Sequence, residues 1–147
     1  MTKGKHVHDS SGIDAAQYPG RWNRKGTPVL LLYTGKTIEI ALLKNIVHLP
    51  PMIAPKLDLL TIEIPDDSIA VISPSELPAN WSHYPAPTVL SEVGQKWIDD
   101  RKTVALQVPS SIIHSSTNVL LNCLHPGYGE VRVLRQEKFR FDSRLMK

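Results

Sequence analysis

Twelve prolines are scattered through the 147 residues, and they sit between short apolar runs, so the chain must fold from many brief elements rather than a few long ones. Val29 to Tyr33 reads as a buried strand between Pro28 and Thr34-Gly35. A helix should start at Thr34 or Gly35 and run from Lys36 to about His48. Its apolar residues Ile38, Ala41, Leu42 and Ile46 recur at helical spacing, and Pro50-Pro51 forbids continuation. Leu59 to Ile64 and Ile69 to Ile72 read as two strands around the turn Pro65-Asp66-Asp67. Thr88 is the expected N-cap of a helix over Val89 to Asp100, with Leu90, Val93, Trp97 and Ile98 as the apolar stripe and Glu92, Lys96 and Asp99 solvated. Val104 to Val108 and Glu130 to Leu134 complete the strands. Strands outnumber helices, which predicts an α+β class.

The length predicts one domain over 1–147, with a core from about 12 to 145 and residues 1–11 as a mobile terminus or an incomplete first strand. A hydrophobic content of 41% with 21% charged residues suits a globular chain, and no apolar run approaches the roughly 20 residues that span a bilayer. The polar start Met1-Thr-Lys-Gly-Lys-His-Val-His lacks the pattern of a secretory signal, so a cytoplasmic location is expected. Cys123 is the only cysteine, which excludes an internal disulfide and a multi-cysteine zinc site. The histidines show no paired ligand spacing beyond His6-x-His8, and no metal is expected. The net charge of +3 is spread along the chain. It suits a pocket for a polyanionic small molecule or an acidic protein partner as well as it suits a nucleic acid.

Three places differ from plain scaffolding. Tyr18-Pro-Gly-Arg-Trp-Asn-Arg-Lys-Gly26 gathers three cations, two glycines and two aromatic residues ahead of a strand. Arginine's fork suits phosphate oxygens, and glycine lets backbone approach a ligand closely. Val108-Pro-Ser-Ser111 holds a hydroxyl at a strand end, and Asn118 to His125 sets Asn122 and His125 beside the cysteine. Each alone is more often a surface turn or a structural polar group.

In order along the chain, these blocks resemble a family. Pro19-Gly-Arg-Trp-Asn, Gly26-Thr-Pro-Val, Tyr33-Thr, Ala41-Leu-Leu-x-x-x-Val-His48, Val108-Pro-Ser110, Leu120-Leu-Asn122 with His125-Pro126, and Phe139-x-Phe-Asp-x-Arg-Leu145 look like those of the RES domain. That domain is named for an arginine, a glutamate and a serine, and it occurs in NAD-consuming toxins of bacterial type II toxin–antitoxin pairs. The resemblance implies an ADP-ribosyltransferase-like fold, with a split, mostly antiparallel sheet and flanking helices. It implies a toxin that arrests growth by cleaving NAD at the nicotinamide–ribose bond, through phosphorolysis or hydrolysis, or by passing ADP-ribose to a protein. NAD would be a substrate, with no metal. Arg21 would grip a phosphate or ribose, Tyr33 would flank the nicotinamide, and Ser110 would orient the dinucleotide through its hydroxyl. Asn122 and His48 align with supporting roles. The implied partner is an Xre-type helix-turn-helix antitoxin, through which alone the pair would touch DNA; a homo-oligomer is left open.

At the family glutamate's place stands Lys44. Cleavage builds oxocarbenium-like positive charge on the ribose, which a carboxylate stabilises and an ammonium opposes. At about 4 Å and an effective dielectric near 20 the Coulomb energy is about 4 kcal/mol, equivalent to roughly a thousandfold in rate. Glu39 is five residues earlier, about 140° around a helix, and should face elsewhere. Where RES domains carry an additional first strand with a Tyr-Arg pair, this sequence has Lys3, Lys5, His6 and His8. Two other readings stand beside the enzyme: a catalytically inactive NAD- or antitoxin-binding module in which Lys44 replaces the acid, and a basic nucleic-acid-binding domain using Arg21, Trp22, Arg24 and Lys25.

Overall fold

A computed structural model of the chain describes residues 2–3, 20–24, 31–47, 56–140 and 142–146. The strands are β1 (Thr2–Lys3), β2 (Leu31–Gly35), β3 (Leu57–Glu63), β4 (Ile69–Val71), β5 (Ala105–Pro109), β6 (Thr117–Asn122) and β7 (Arg132–Phe139), with helices α1 (Ile38–Ile46) and α2 (Thr88–Asp100). They form two sheets, one ordered β1-β3-β7 and the other β2-β6-β5-β4. Every pairing is antiparallel except β4 with β5. The expected α+β class with a split, mostly antiparallel sheet is therefore what the chain adopts.

The four-stranded sheet has two faces fixed by its register. Leu106 pairs with Leu120 and Val108 with Asn118, so these four share the front face. There Leu106, Val108 and Leu120 join Trp22, Trp81, Leu90, Trp97 and Ile98 in one buried cluster, which seats α2 on the sheet. Full burial of one such aliphatic side chain is worth roughly 1.5–3 kcal/mol. On the back face, Ala105, Val119 and Leu121 pack with Val104 and, in part, with Ile62, Ile64 and Ile69. Ile62 belongs to β3, so the second sheet closes the back while α2 closes the front.

The local grammar explains most boundaries and corrects several expectations. Thr34 and Gly35 end β2 rather than start the helix; α1 begins at Ile38, with Thr37 as N-cap accepting from the Ile40 N–H at 3.4 Å. Thr88 lies inside α2, and Pro87 occupies the N-cap without a side-chain bond. The helix stops at Arg101, whose φ of 47° is left-handed and whose N–H donates to Trp97 O at 3.3 Å. The last strand runs Arg132–Phe139, longer than its alternation indicated. The expected beginning of β2 at Val29 and the end of α1 at His48 lie outside the described residues. Strand β6 was not expected: Thr117-Asn-Val-Leu-Leu-Asn122 is interior, buried on both faces, and so lacks the polar and apolar alternation that marks a half-exposed strand.

Candidate functional site

The turn bearing Arg21 is held against α2 by close backbone contact. A Cβ on Gly94 would stand 2.0 Å from the Trp22 carbonyl oxygen, so only glycine at that position admits the turn. The turn closes on itself through an isolated bridge between Gly20 and Asn23, and Gly20 N–H donates to Asn23 Oδ1 at 3.0 Å. Arg24 adds an exposed ion pair with Glu92 of α2 at 3.5 Å, worth little in itself. Trp22 at 2% exposure then fills the front cluster, which leaves neighbouring Arg21 half-buried at the surface.

Arg21 donates from Nη1 to the Trp81 carbonyl and from Nη2 to the His83 carbonyl at 3.0 Å. Burial lowers the pKa of its guanidinium, which still stays charged at neutral pH. The guanidinium thereby pins the segment around Trp81, whose ring lies 5.3 Å from the His114 ring at a tilt of 51°. His114 sits in the loop that Ser110 organises: Ser110 is fully buried, and its Oγ accepts from the N–H groups of Ile112 and Ile113, each at 3.3 Å. Arg21 and Ser110, far apart in sequence, are thus joined through Trp81 and His114 on one side of the molecule. Trp81, His83 and Gly94 had no sequence signal, because two of them contribute backbone carbonyls and the third contributes the absence of a side chain.

Lys44 is brought to the same sheet by α1. A Cβ on Gly35 would meet the Ala41 backbone nitrogen at 2.7 Å, so α1 lies closely over the end of β2. Ile40 and Ala41 are the buried residues of that helix, and Lys44 follows them at i+4 and i+3, on the same stripe. Packing on that side leaves Lys44 half-buried and lowers its pKa from 10.5 to about 8, by desolvation of the ammonium. Glu39 is exposed, with its carboxylate held below the usual range by a hydrogen bond with the Thr37 side chain.

Tyr33 lies in β2 opposite Leu120; its side chain, like His48, Tyr18 and Lys25, lies outside the described residues. Asn122 is at the other end of the sheet from Ser110. Ser110 N–H donates to Ser116 O, and from Ser116 to Asn122 the strand rises roughly 20 Å. Asn122 is fully buried; its Nδ2 donates to Ile98 O at 3.2 Å, and its Oδ1 accepts from the Leu124 N–H at 3.1 Å. It lines a separate cleft of about 220 Å³ with Ile98, Asp99, Arg101 and Leu124. The structure brings together Arg21 and Ser110, sets Lys44 on the helix over the same sheet, and keeps Asn122 apart. Among the described residues no cluster of histidine, cysteine, aspartate or glutamate could hold a metal ion.

Comparison with known proteins agrees with this architecture. Residues 3–142 match the family model of the RES domain. A protein of Yersinia enterocolitica called Toxin Res is 31% identical over 137 residues, covering 92% of this chain and 89% of its own. A protein of Sphingobium sp. called Prs ADP-ribosylating toxin is 34% identical over 143 residues, covering 95% of this chain and 88% of its own. The fold is similar to a chain in the crystal structure of the M. tuberculosis MbcT–MbcA toxin–antitoxin complex, with a TM-score of 0.73 at 14% identity over 94% of this chain and 80% of that one. By the family match across nearly its whole length, the chain belongs to the RES-domain family.

Proposed function

We propose that this chain is the toxin of a toxin–antitoxin pair and that it binds NAD at the front of the four-stranded sheet and breaks the nicotinamide–ribose bond. The observation that carries this reading is the 34% identity, over 95% of the chain, to a protein called an ADP-ribosylating toxin. The arrangement of the site supports it chemically. Arg21 offers a fixed positive charge for the pyrophosphate, held in place by the Trp81 and His83 carbonyls. Ser110 acts by holding the loop of His114, and it has a hydroxyl proton to donate to the dinucleotide. Tyr33 would complete the nicotinamide end. We assign Asn122 to the support of the fold, since both of its polar atoms serve protein partners.

Chemically, cleavage needs the ribose carbon to tolerate positive charge as nicotinamide leaves. Lys44, charged at neutral pH, opposes that charge where the family pattern has a carboxylate. The activity proposed for this chain is therefore slow. A second reading, binding of NAD without turnover, is favoured by the place of Lys44 on the helix stripe packed over the sheet, where its ammonium is partly desolvated. The whole protein would act as an unmembraned cytoplasmic toxin, one folded domain neutralised by a helix-turn-helix antitoxin that also supplies the DNA contact. Among the described residues no helix is long and apolar enough to cross a membrane.

The test is to incubate the chain with NAD and follow free nicotinamide, with and without phosphate and with candidate protein acceptors. Slow release is expected, and the form in which ADP-ribose appears names the acceptor. Saturable NAD binding with no release selects the second reading, whereas neither binding nor release overturns both.

A further inference from the structure

Asn118 stands out among the buried polar residues of the front face. It retains 8% exposure, and its side-chain Oδ1 is sealed from solvent with no hydrogen-bond partner. A buried acceptor left unpaired is destabilising, so one that persists in a fold calls for a physical reason, of which a role toward a ligand is one. The acceptors of the other buried polar groups on this face are engaged: Asn122 uses both ends of its amide, and Ser110 Oγ takes two N–H groups.

Its position is also informative. Asn118 pairs with Gly35 of β2 on one side and with Val108 of β5 on the other. Ser110 follows directly on the end of β5, two residues beyond Val108, and the Tyr33–Leu120 row lies one step further along β6, each roughly 7 Å away. The glycine across from it carries no side chain to compete for the acceptor, and α1 crosses there with Ala41, one turn before Lys44. Val108 and Leu120, its neighbours in the sheet, belong to the apolar cluster with Trp22, the residue next to Arg21. The surroundings thus consist of buried apolar side chains and one unpaired neutral acceptor, whose amide can turn by rotation about a soft χ2. Such a place rejects a phosphate, which has no proton to give, and suits a planar ring with an NH2 group beside an acceptor atom.

We propose that Asn118 is a ligand-binding residue whose side-chain amide pairs with the NH2-bearing edge of a heteroaromatic ring. In NAD that edge occurs twice, as the carboxamide of nicotinamide and as the amino edge of adenine. This assignment rests on the NAD reading above and adds to it the residue that recognises a base.

Calorimetric titration of the full chain with NAD, nicotinamide mononucleotide and ADP-ribose, repeated for Asn118→Ala and Asn118→Leu, tests it. The expected result is an approximately tenfold weaker affinity for NAD in both variants, with the loss shared by only one of the two fragments. Loss confined to the mononucleotide identifies the carboxamide, and loss confined to ADP-ribose identifies adenine. The thermal midpoint of either variant should be no lower than that of the parent, because no protein bond to Oδ1 is removed. Unchanged NAD affinity, equal loss for both fragments, or a lowered midpoint in both variants overturns the assignment while leaving the NAD reading in place. Absence of binding of all three ligands by the parent chain overturns the NAD reading, and this assignment with it.

Discussion

Lys44 carries a measurable signature of its environment. Its ammonium has a pKa of about 8 in the fold against 10.5 as a free side chain, so between those values the unfolded chain holds more protons than the folded one. Stability must therefore rise with pH across that window, by at most about 3 kcal/mol, because below it the fold bears the whole cost of a desolvated charge and above it neither state is charged. Lys44→Met should abolish that rise and be more stable than the parent at neutral pH. Urea unfolding of both proteins below and above the window checks this, and parallel pH profiles would show that Lys44 is not desolvated. The identity of Lys44 was legible in the sequence. Its burial was not, because that depends on α1 pressing its Ile40, Ala41 and Lys44 stripe over Gly35. Asn118 illustrates the same limit: nothing in Thr117-Asn-Val-Leu-Leu-Asn122 tells which asparagine is bonded at both ends and which has an unpaired oxygen.

At the scale of elements, the site depends on two places where backbone meets backbone. Gly94 lets the Arg21 turn rest on α2, and Gly35 lets α1 rest on β2. Gly94→Ala would force its methyl group against the Trp22 carbonyl, and backbone cannot yield as a long side chain can. The gain in intrinsic helix propensity, about 1 kcal/mol, is smaller than the cost expected from displacing the turn and unseating Trp22, roughly 1–3 kcal/mol. The variant should melt earlier, show altered near-ultraviolet circular dichroism from its tryptophans, and bind NAD more weakly; an unchanged melting point and spectrum would contradict the close contact. Periodicity made α2 legible because its apolar stripe is clean, with Leu90, Trp97 and Ile98 buried and Glu92, Lys96 and Asp99 exposed. It failed for β6, which is covered on both faces and has no polar side to reveal. It also ended β7 too early, since Arg132–Phe139 is mostly exposed and its polar residues resemble a loop.

For the whole molecule, the class was legible because prolines and short apolar runs admit little else, and the family was legible because several weak motifs recur in one order. The way in which the site is assembled was not. Arg21 reaches Trp81 and His83, some sixty residues on, and Trp81 in turn meets His114 beyond the next helix and strand. Such long-range pairings leave no mark in any window of sequence. In the proposed activity this fold binds NAD for cleavage and Lys44 holds the rate down. The most direct test is the rate of nicotinamide release from NAD by the chain and by Lys44→Glu, with the folded state of each checked by thermal unfolding. Removing a repulsion of about 4 kcal/mol predicts a rate at least about a hundredfold higher in the folded variant. Equal rates in two folded proteins that both bind NAD would contradict the account, placing the determinant of the rate somewhere other than position 44.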